Sequence, residues 1–250
     1  GITLAGRSIF RPSLKFIRQK SILNTVLKLR FLQIHIIRRR VTMSTLTMAE
    51  TKGVCHIAYD GATGDRFSFP DGTIWSILAD EATRMTGFKA VLTKPENREL
   101  YVLAFAGSDS VMDFIHDGVQ ALGGYSHQYT QALSLTRRFQ REFGIHHLSG
   151  HSLGGGLAAY SSVLTRIPAS TINPAPLVGM MTVGSLRGNS QIINYVPTNG
   201  EIVSSSPGRN PGRDIKVAAS GNFFTRHMVG NMMPSIPLPM KIGGGASGRW

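Results

Sequence analysis

The sequence predicts an α/β fold, a compact single domain with a mostly parallel central sheet flanked by helices. Three observations carry that prediction. Short apolar segments rich in Val, Ile and aromatics alternate with longer segments of helical spacing through the centre of the chain. Glycine, proline and polar turn residues punctuate the boundaries between them. The chain of 250 residues is long enough for such a domain, with 42% hydrophobic and 16% charged residues.

Taken in order, Asp60 to Gly72 (DGATGDRFSFPDG) reads as loops, and Ile74 to Met85 reads as a helix. Phe88 to Thr93 and Tyr101 to Phe105 read as strands joined by the turn Pro95-Glu96-Asn97-Arg98, which suits a strand pair. Ser126 to Phe143 has helical spacing, and Gly144 closes it. A short strand at Ile145 to Leu148 leads into Gly150, and Leu153 to Leu164 reads as a small-residue helix ending near Pro168. Met180 to Val183 and Ile192 to Val196 read as further strands, and Ser204 to Gly212 as a loop.

The net charge of +13 invites a nucleic-acid or membrane reading, but its distribution argues otherwise. Ten of the 27 Lys and Arg residues lie between Gly1 and Thr42, where there is no acid, so the rest of the chain carries only +3. The expected organisation is therefore a basic leader over 1–42 outside the fold, a domain over 43–242 and a flexible glycine-rich tail over 243–250. Three readings of the leader stay open: a fragment or overextended start, an Arg-rich targeting segment, or an arm for a membrane surface or nucleic acid. No nucleic-acid partner is expected for the domain itself. There is no run of eighteen uncharged apolar residues and no evident secretory signal, so localisation is left as cytoplasmic or exported by another route. The single cysteine, Cys55, excludes an intramolecular disulfide framework. No histidine spacing suits a metal, and no cofactor is expected.

The chemistry is concentrated at Gly150-His151-Ser152-Leu153-Gly154, a G-x-S-x-G motif between a strand and a small-residue helix. In that context the turn is sharp, the serine projects outward, and the two glycines stand where backbones nearly touch. A serine nucleophile needs a base and an orienting acid, which follow it in that topology in the order acid, then histidine. His227 is the only histidine after Ser152, and Glu201 and Asp214 are the only acids. Glu201, after the strand Ile192 to Val196 and a Pro-Thr-Asn-Gly turn, is favoured, with Asp214 as the alternative. His151 points away from the nucleophile in such a turn and reads as structural. The oxyanion donors are expected from the N–H of Leu153 and from the loop Ala106 to Ser110, where Ser108 offers N–H and hydroxyl.

These residues resemble the class 3, or fungal-type, lipase family of α/β-hydrolases. The resemblance rests on Val102-Leu103-Ala104-Phe105-Ala106-Gly107-Ser108, Asp113-Phe114-Ile115-His116-Asp117, the GHSLGGGLA elbow, Thr171 to Pro176, Asn199 to Val203 and His227. It implies an α/β-hydrolase fold, Ser108 as an oxyanion residue, a triad of Ser152, the acid and His227, and a lid over Val111 to Asp117. Ala106 stands where the family usually has arginine, and Glu201 where aspartate is usual. The implied activity is hydrolysis of lipid carboxylic esters, acylglycerol or phospholipid, at a membrane or lipid–water interface. The alternative is a lipid-binding protein that keeps the fold with impaired catalysis.

Overall fold

The computed structural model describes residues 45–107, 121–177 (side chains from 127), 191–203 and 208–243. The basic leader, Ser108 with the expected lid, the expected strand Met180 to Val183 and residues 244–250 lie outside the described residues.

The described strands form one nine-stranded sheet: β1 (Arg66–Ser68), β2 (Ile74–Thr83), β3 (Phe88–Pro95), β4 (Val102–Phe105), β5 (His147–His151), β6 (Ala169–Ile172), β7 (Ile192–Pro197), β8 (Arg213–Val217) and β9 (Met240–Gly243). Their spatial order is β8-β7-β6-β5-β4-β3-β2-β1-β9. From β4 to β8 every pairing is parallel, while β9, β1, β2, β3 and β4 pair antiparallel. The parallel half holds the site, and the antiparallel half extends the sheet.

Two sequence expectations are overturned here, the first being that Asp60 to Gly72 is loop throughout, since it holds the paired strand β1. Ile74 to Met85 is not a helix but the long strand β2, paired along its length with β3. Ala79, Glu81 and Ala82 favour helix locally, but Trp75 and Ile77 are buried on one face with alternate residues less so, the period of a strand. Strands β6, β8 and β9 and the helix α1 (Met48–Asp60) are not among the elements expected from the sequence.

Helix α1 begins at a capping box. The Thr47 hydroxyl accepts the Glu50 N–H at 3.2 Å, and the Thr47 N–H donates to the Glu50 carboxylate at 2.8 Å. It covers one face of the sheet with Val54, Ile57 and Ala58 against Val91, Val102 and Ala104. The opposite face is covered by α2 (Ala121–Phe143) and α3 (Leu153–Thr165), whose Ala132, Leu135, Phe139 and Leu157 pack on Leu92, Leu103, Phe105 and Leu148. Alternate residues of β4 thus feed two cores, which is why its sequence is apolar throughout. Gly144 ends α2 at φ +68° and donates its N–H to Gln140.

Candidate active site

Gly107 follows β4, Ser152 follows β5, Asn173 follows β6 and Glu201 lies beyond β7. Parallel strands release the chain at one edge, so these four residues gather where such sheets place their ligands.

Ser152 adopts φ 58° and ψ −127°, a sparsely populated conformation for a residue with a side chain. The elbow holds it there. A Cβ on Gly150 would lie 2.2 Å from the Gly154 carbonyl oxygen, and one on Gly154 would lie 2.2 Å from the Phe105 oxygen. No side chain fits at either position. The Ser152 N–H donates to Ile172 O at 3.1 Å, and its carbonyl accepts from Ala175 N–H at 2.8 Å, so the strained residue is pinned on both sides. The Ser152 side chain makes no capping bond to α3. As the first residue of α3, Leu153 has an N–H with no carbonyl one turn back inside the helix to accept it, and it stays a candidate oxyanion donor. A Cβ on Gly107 would meet the Tyr59 hydroxyl at 2.6 Å and the Ser152 Cβ at 2.9 Å, which sets the loop after β4 directly against the serine.

His227 ends a short 3-10 turn, Thr225–His227. The Asn222 carboxamide oxygen shapes the loop before it, accepting the N–H groups of Phe224 and Thr225, both at 3.0 Å. His227 is 1% exposed. Its Nδ1 lies 2.7 Å from Glu201 Oε2, and that same oxygen accepts the Val203 N–H at 2.8 Å. A carboxylate oxygen can only accept, so the neutral imidazole donates Nδ1–H to it and keeps a lone pair on Nε2. Nε2 is buried and has no hydrogen-bond partner among the described residues. Asp214 sits elsewhere, exposed on edge strand β8, with Oδ1 accepting from Asn194 Nδ2 at 3.0 Å. Of the two acids read from the sequence, Glu201 is the one the fold brings to His227.

Four further side chains, Tyr59, His151, Asn173 and Lys52, complete the arrangement, and sequence reasoning missed all four as site residues. His151 is fully buried beneath Ser152, its ring 4.7 Å from that of His227. Its Nε2 donates to the His227 carbonyl at 2.6 Å, and its Nδ1 faces the Tyr59 hydroxyl at 2.6 Å. Burial, and then the charge of His227, depress its pKa to about 3. Asn173, at φ +43°, donates from Nδ2 to the same carbonyl at 3.0 Å. Farther out, the buried Lys52 ammonium donates to the carbonyls of Ile236 at 2.7 Å, Met233 at 3.2 Å and Gly230 at 3.4 Å, tying the segment after His227 to α1. No local signal marks Tyr59, which lies 92 positions from His151.

A cleft of about 200 Å³ opens beside Gly107, lined among others by Tyr59, Thr83, Arg84 and Lys89. It lies at the turn between β2 and β3, which the pairing of Ala90 with Phe105 brings to the same edge.

Residues 76–207, over half of the chain, match the Tle-like phospholipase domain. The chain belongs to that family. The match takes in Ser152 and Glu201 and ends before His227. The extracellular phospholipase A1 of Serratia liquefaciens is 40% identical over 91 residues, 36% of this chain and 28% of that protein. The region shared with it is thus under a third of the relative's length. Among solved structures, an MDLA variant from Penicillium cyclopium is 15% identical, with 76% of this chain and 87% of that chain covered at a TM-score of 0.50. A triacylglycerol lipase from Penicillium expansum is 14% identical over 78% of this chain and 81% of its own, at a TM-score of 0.45. The sheet and its flanking helices, together with the likeness to the Penicillium cyclopium structure, give this domain the α/β-hydrolase fold, as the resemblance to class 3 lipases implied.

Proposed function

We propose that this Tle-like phospholipase domain hydrolyses carboxylic ester bonds of lipids, with glycerophospholipids as its substrate class. The observation that carries the reading is a strained elbow serine on the sheet edge that also holds a buried histidine, whose Nδ1 is held by Glu201 and whose Nε2 has no hydrogen-bond partner among the described residues. In the reaction, Ser152 Oγ passes its proton to His227 Nε2 and bonds to the ester carbonyl carbon. The oxyanion that forms is held by the Leu153 N–H and by a donor from the loop after Gly107, where Ser108 is the candidate. Collapse breaks the ester C–O bond, and the leaving alkoxide takes the proton from Nε2. Water then gives a proton to His227 as its oxygen attacks the acyl-enzyme, and Ser152 regains its hydrogen as the carboxylic acid departs. Glu201 stabilises the imidazolium formed at each proton transfer.

The family and the phospholipase relative favour a phospholipid over a neutral acylglycerol. Arg84 and Lys89 beside Gly107 add positive charge where the phosphate of a headgroup would lie. The test is product analysis on phosphatidylcholine vesicles, trioleoylglycerol emulsion and p-nitrophenyl butyrate, with wild type and Ser152→Ala. Fatty acid release from phospholipid, reduced at least about 10³-fold in the variant, is expected. A folded wild type that turns over none of the three would overturn the reading.

A further inference from the structure

The bonds beneath the elbow form a directional chain that the ester chemistry does not itself require. The His227 carbonyl can only accept, so the His151 proton must sit on Nε2, which points at that carbonyl from 2.6 Å. His151 is neutral in the fold, so its Nδ1 is bare and accepts the Tyr59 hydroxyl at 2.6 Å. With its own proton so committed, the Tyr59 oxygen accepts the Gly107 N–H at 3.1 Å. The chain therefore runs from the loop after β4, through the end of α1, to the residue before the nucleophile and on to the main chain of the base.

We propose that His151 is a positioning residue for ester hydrolysis, holding the His227 backbone against the elbow as the Nε2–H tautomer that the Tyr59 hydroxyl selects. The proposal rests on the Ser152–His227–Glu201 reading above. Three features support it. The carbonyl that His151 grips belongs to the base itself, and Asn173 reaches the same oxygen from β6, so the base is moored to the strands on which Ser152 and Asn173 follow. Among the described residues no hydrogen bond to His227 Nε2 orients the ring, which is held by Glu201 at one side and this mooring at the other. Finally, His227 becomes a cation during turnover, and a second protonated ring at 4.7 Å would oppose it. A hydroxyl that needs a bare Nδ1 keeps the neighbour neutral.

A histidine serving only to fill the core would be replaced by any apolar residue of its size without effect on the base. The test therefore compares His151→Gln, whose amide N–H can occupy the place of Nε2–H, with His151→Met, of similar size and no donor. The full chain is assayed on p-nitrophenyl butyrate, with Ser152 labelling by a fluorophosphonate probe as a second readout of nucleophile activation. The expectation is a fall in kcat of roughly ten- to hundredfold in the Met variant with KM within about twofold, labelling slowed in step, and recovery in the Gln variant to within about fivefold of wild type. Equal kcat in wild type, Gln and Met variants would overturn the proposal. If the Met variant does not fold, Tyr59→Phe decides: a kcat loss of about three- to tenfold at unchanged KM supports the role, and unchanged kcat overturns it. The two readings part at one comparison. A wild type matched by Ser152→Ala overturns the triad and this role with it, whereas an inert Ser152→Ala beside an unimpaired Met variant overturns the positioning role alone.

Discussion

Replacing Glu201 by glutamine keeps the shape of the site and removes one charge. Because Oε2 accepts both the Val203 N–H at 2.8 Å and the His227 Nδ1–H at 2.7 Å, one amide oxygen can take over both of these bonds. The Gln variant therefore keeps the proton on Nδ1 and the lone pair on Nε2. What it loses is the anion facing the imidazolium formed when His227 takes the Ser152 proton. Glu201 is 0% and His227 1% exposed, so water does little to replace that charge. With charge centres about 4 Å apart and an effective dielectric constant of about 20, the attraction is about 4 kcal/mol. At 1.36 kcal/mol per tenfold in rate, kcat/KM should fall about 10³-fold. Glu201→Ala should fall further, since it also leaves two buried donors without an acceptor. Initial rates on a short p-nitrophenyl ester, with a thermal midpoint for each protein, measure this. Asp214→Asn is the control, expected to stay within about twofold, because Asp214 touches Asn194 and not the base. A Gln variant within tenfold of wild type, or an Asp214→Asn variant that falls as far, would refute the assignment of the acid.

Gly154→Ala should destabilise the domain by about 3 kcal/mol or more, because its Cβ meets main-chain oxygens of Phe105 and Ala106 at 2.2 and 2.6 Å. Calorimetry should show a midpoint lowered by roughly 6–12 °C, and an unchanged midpoint would contradict the packing. Lys52→Met leaves three carbonyls after His227 without their donor and should lower stability to urea by about 2–4 kcal/mol. In the acid range, His151 is neutral in the fold down to about pH 3 but protonates near 6.5 once unfolded. The unfolded chain then binds the extra proton, so this contribution is intact above pH 6.5 and is lost as pH falls towards 3. Between pH 7 and 4.5 His151→Gln should therefore lose roughly 2–3 kcal/mol less stability than wild type, and equal slopes in urea titrations would count against it. Cys55 is buried with its thiol pushed up to about 12, so at pH 8 an aromatic disulfide reagent should label the native chain at least about 10³-fold more slowly than the unfolded chain.

Local patterns carried some of these features and not others. The elbow was legible because its chemistry is local: two glycines, a serine and a small-residue helix fall within a few positions. Helix α1 also has a local signal, the capping-box pattern of Thr47 three residues before Glu50 ahead of an apolar run. Strand β2 was misread because Ala79, Glu81 and Ala82 favour helix, and only pairing with β3 overrides that preference. Strand β8 carries charged and exposed residues along an edge, so it lacks the apolar pattern that marked β4 or β7. His151 was read as pointing away from the nucleophile; what it points to is the main chain of a residue 76 positions later.

The sequence by itself determined the fold class and narrowed the proposed triad to Ser152, the one histidine after it and a choice of two acids. Those follow from chain order and from turn geometry that glycines dictate locally. The tertiary structure decided which acid meets the histidine, because β7 and β8 run side by side and only the turn after β7 directs a carboxylate at His227. It also decided that His151 and Asn173 both meet the carbonyl of His227, and that Tyr59 reaches His151. A hydrogen bond acts over about 3 Å of space and is indifferent to separation along the chain, so no local pattern of residues can announce it.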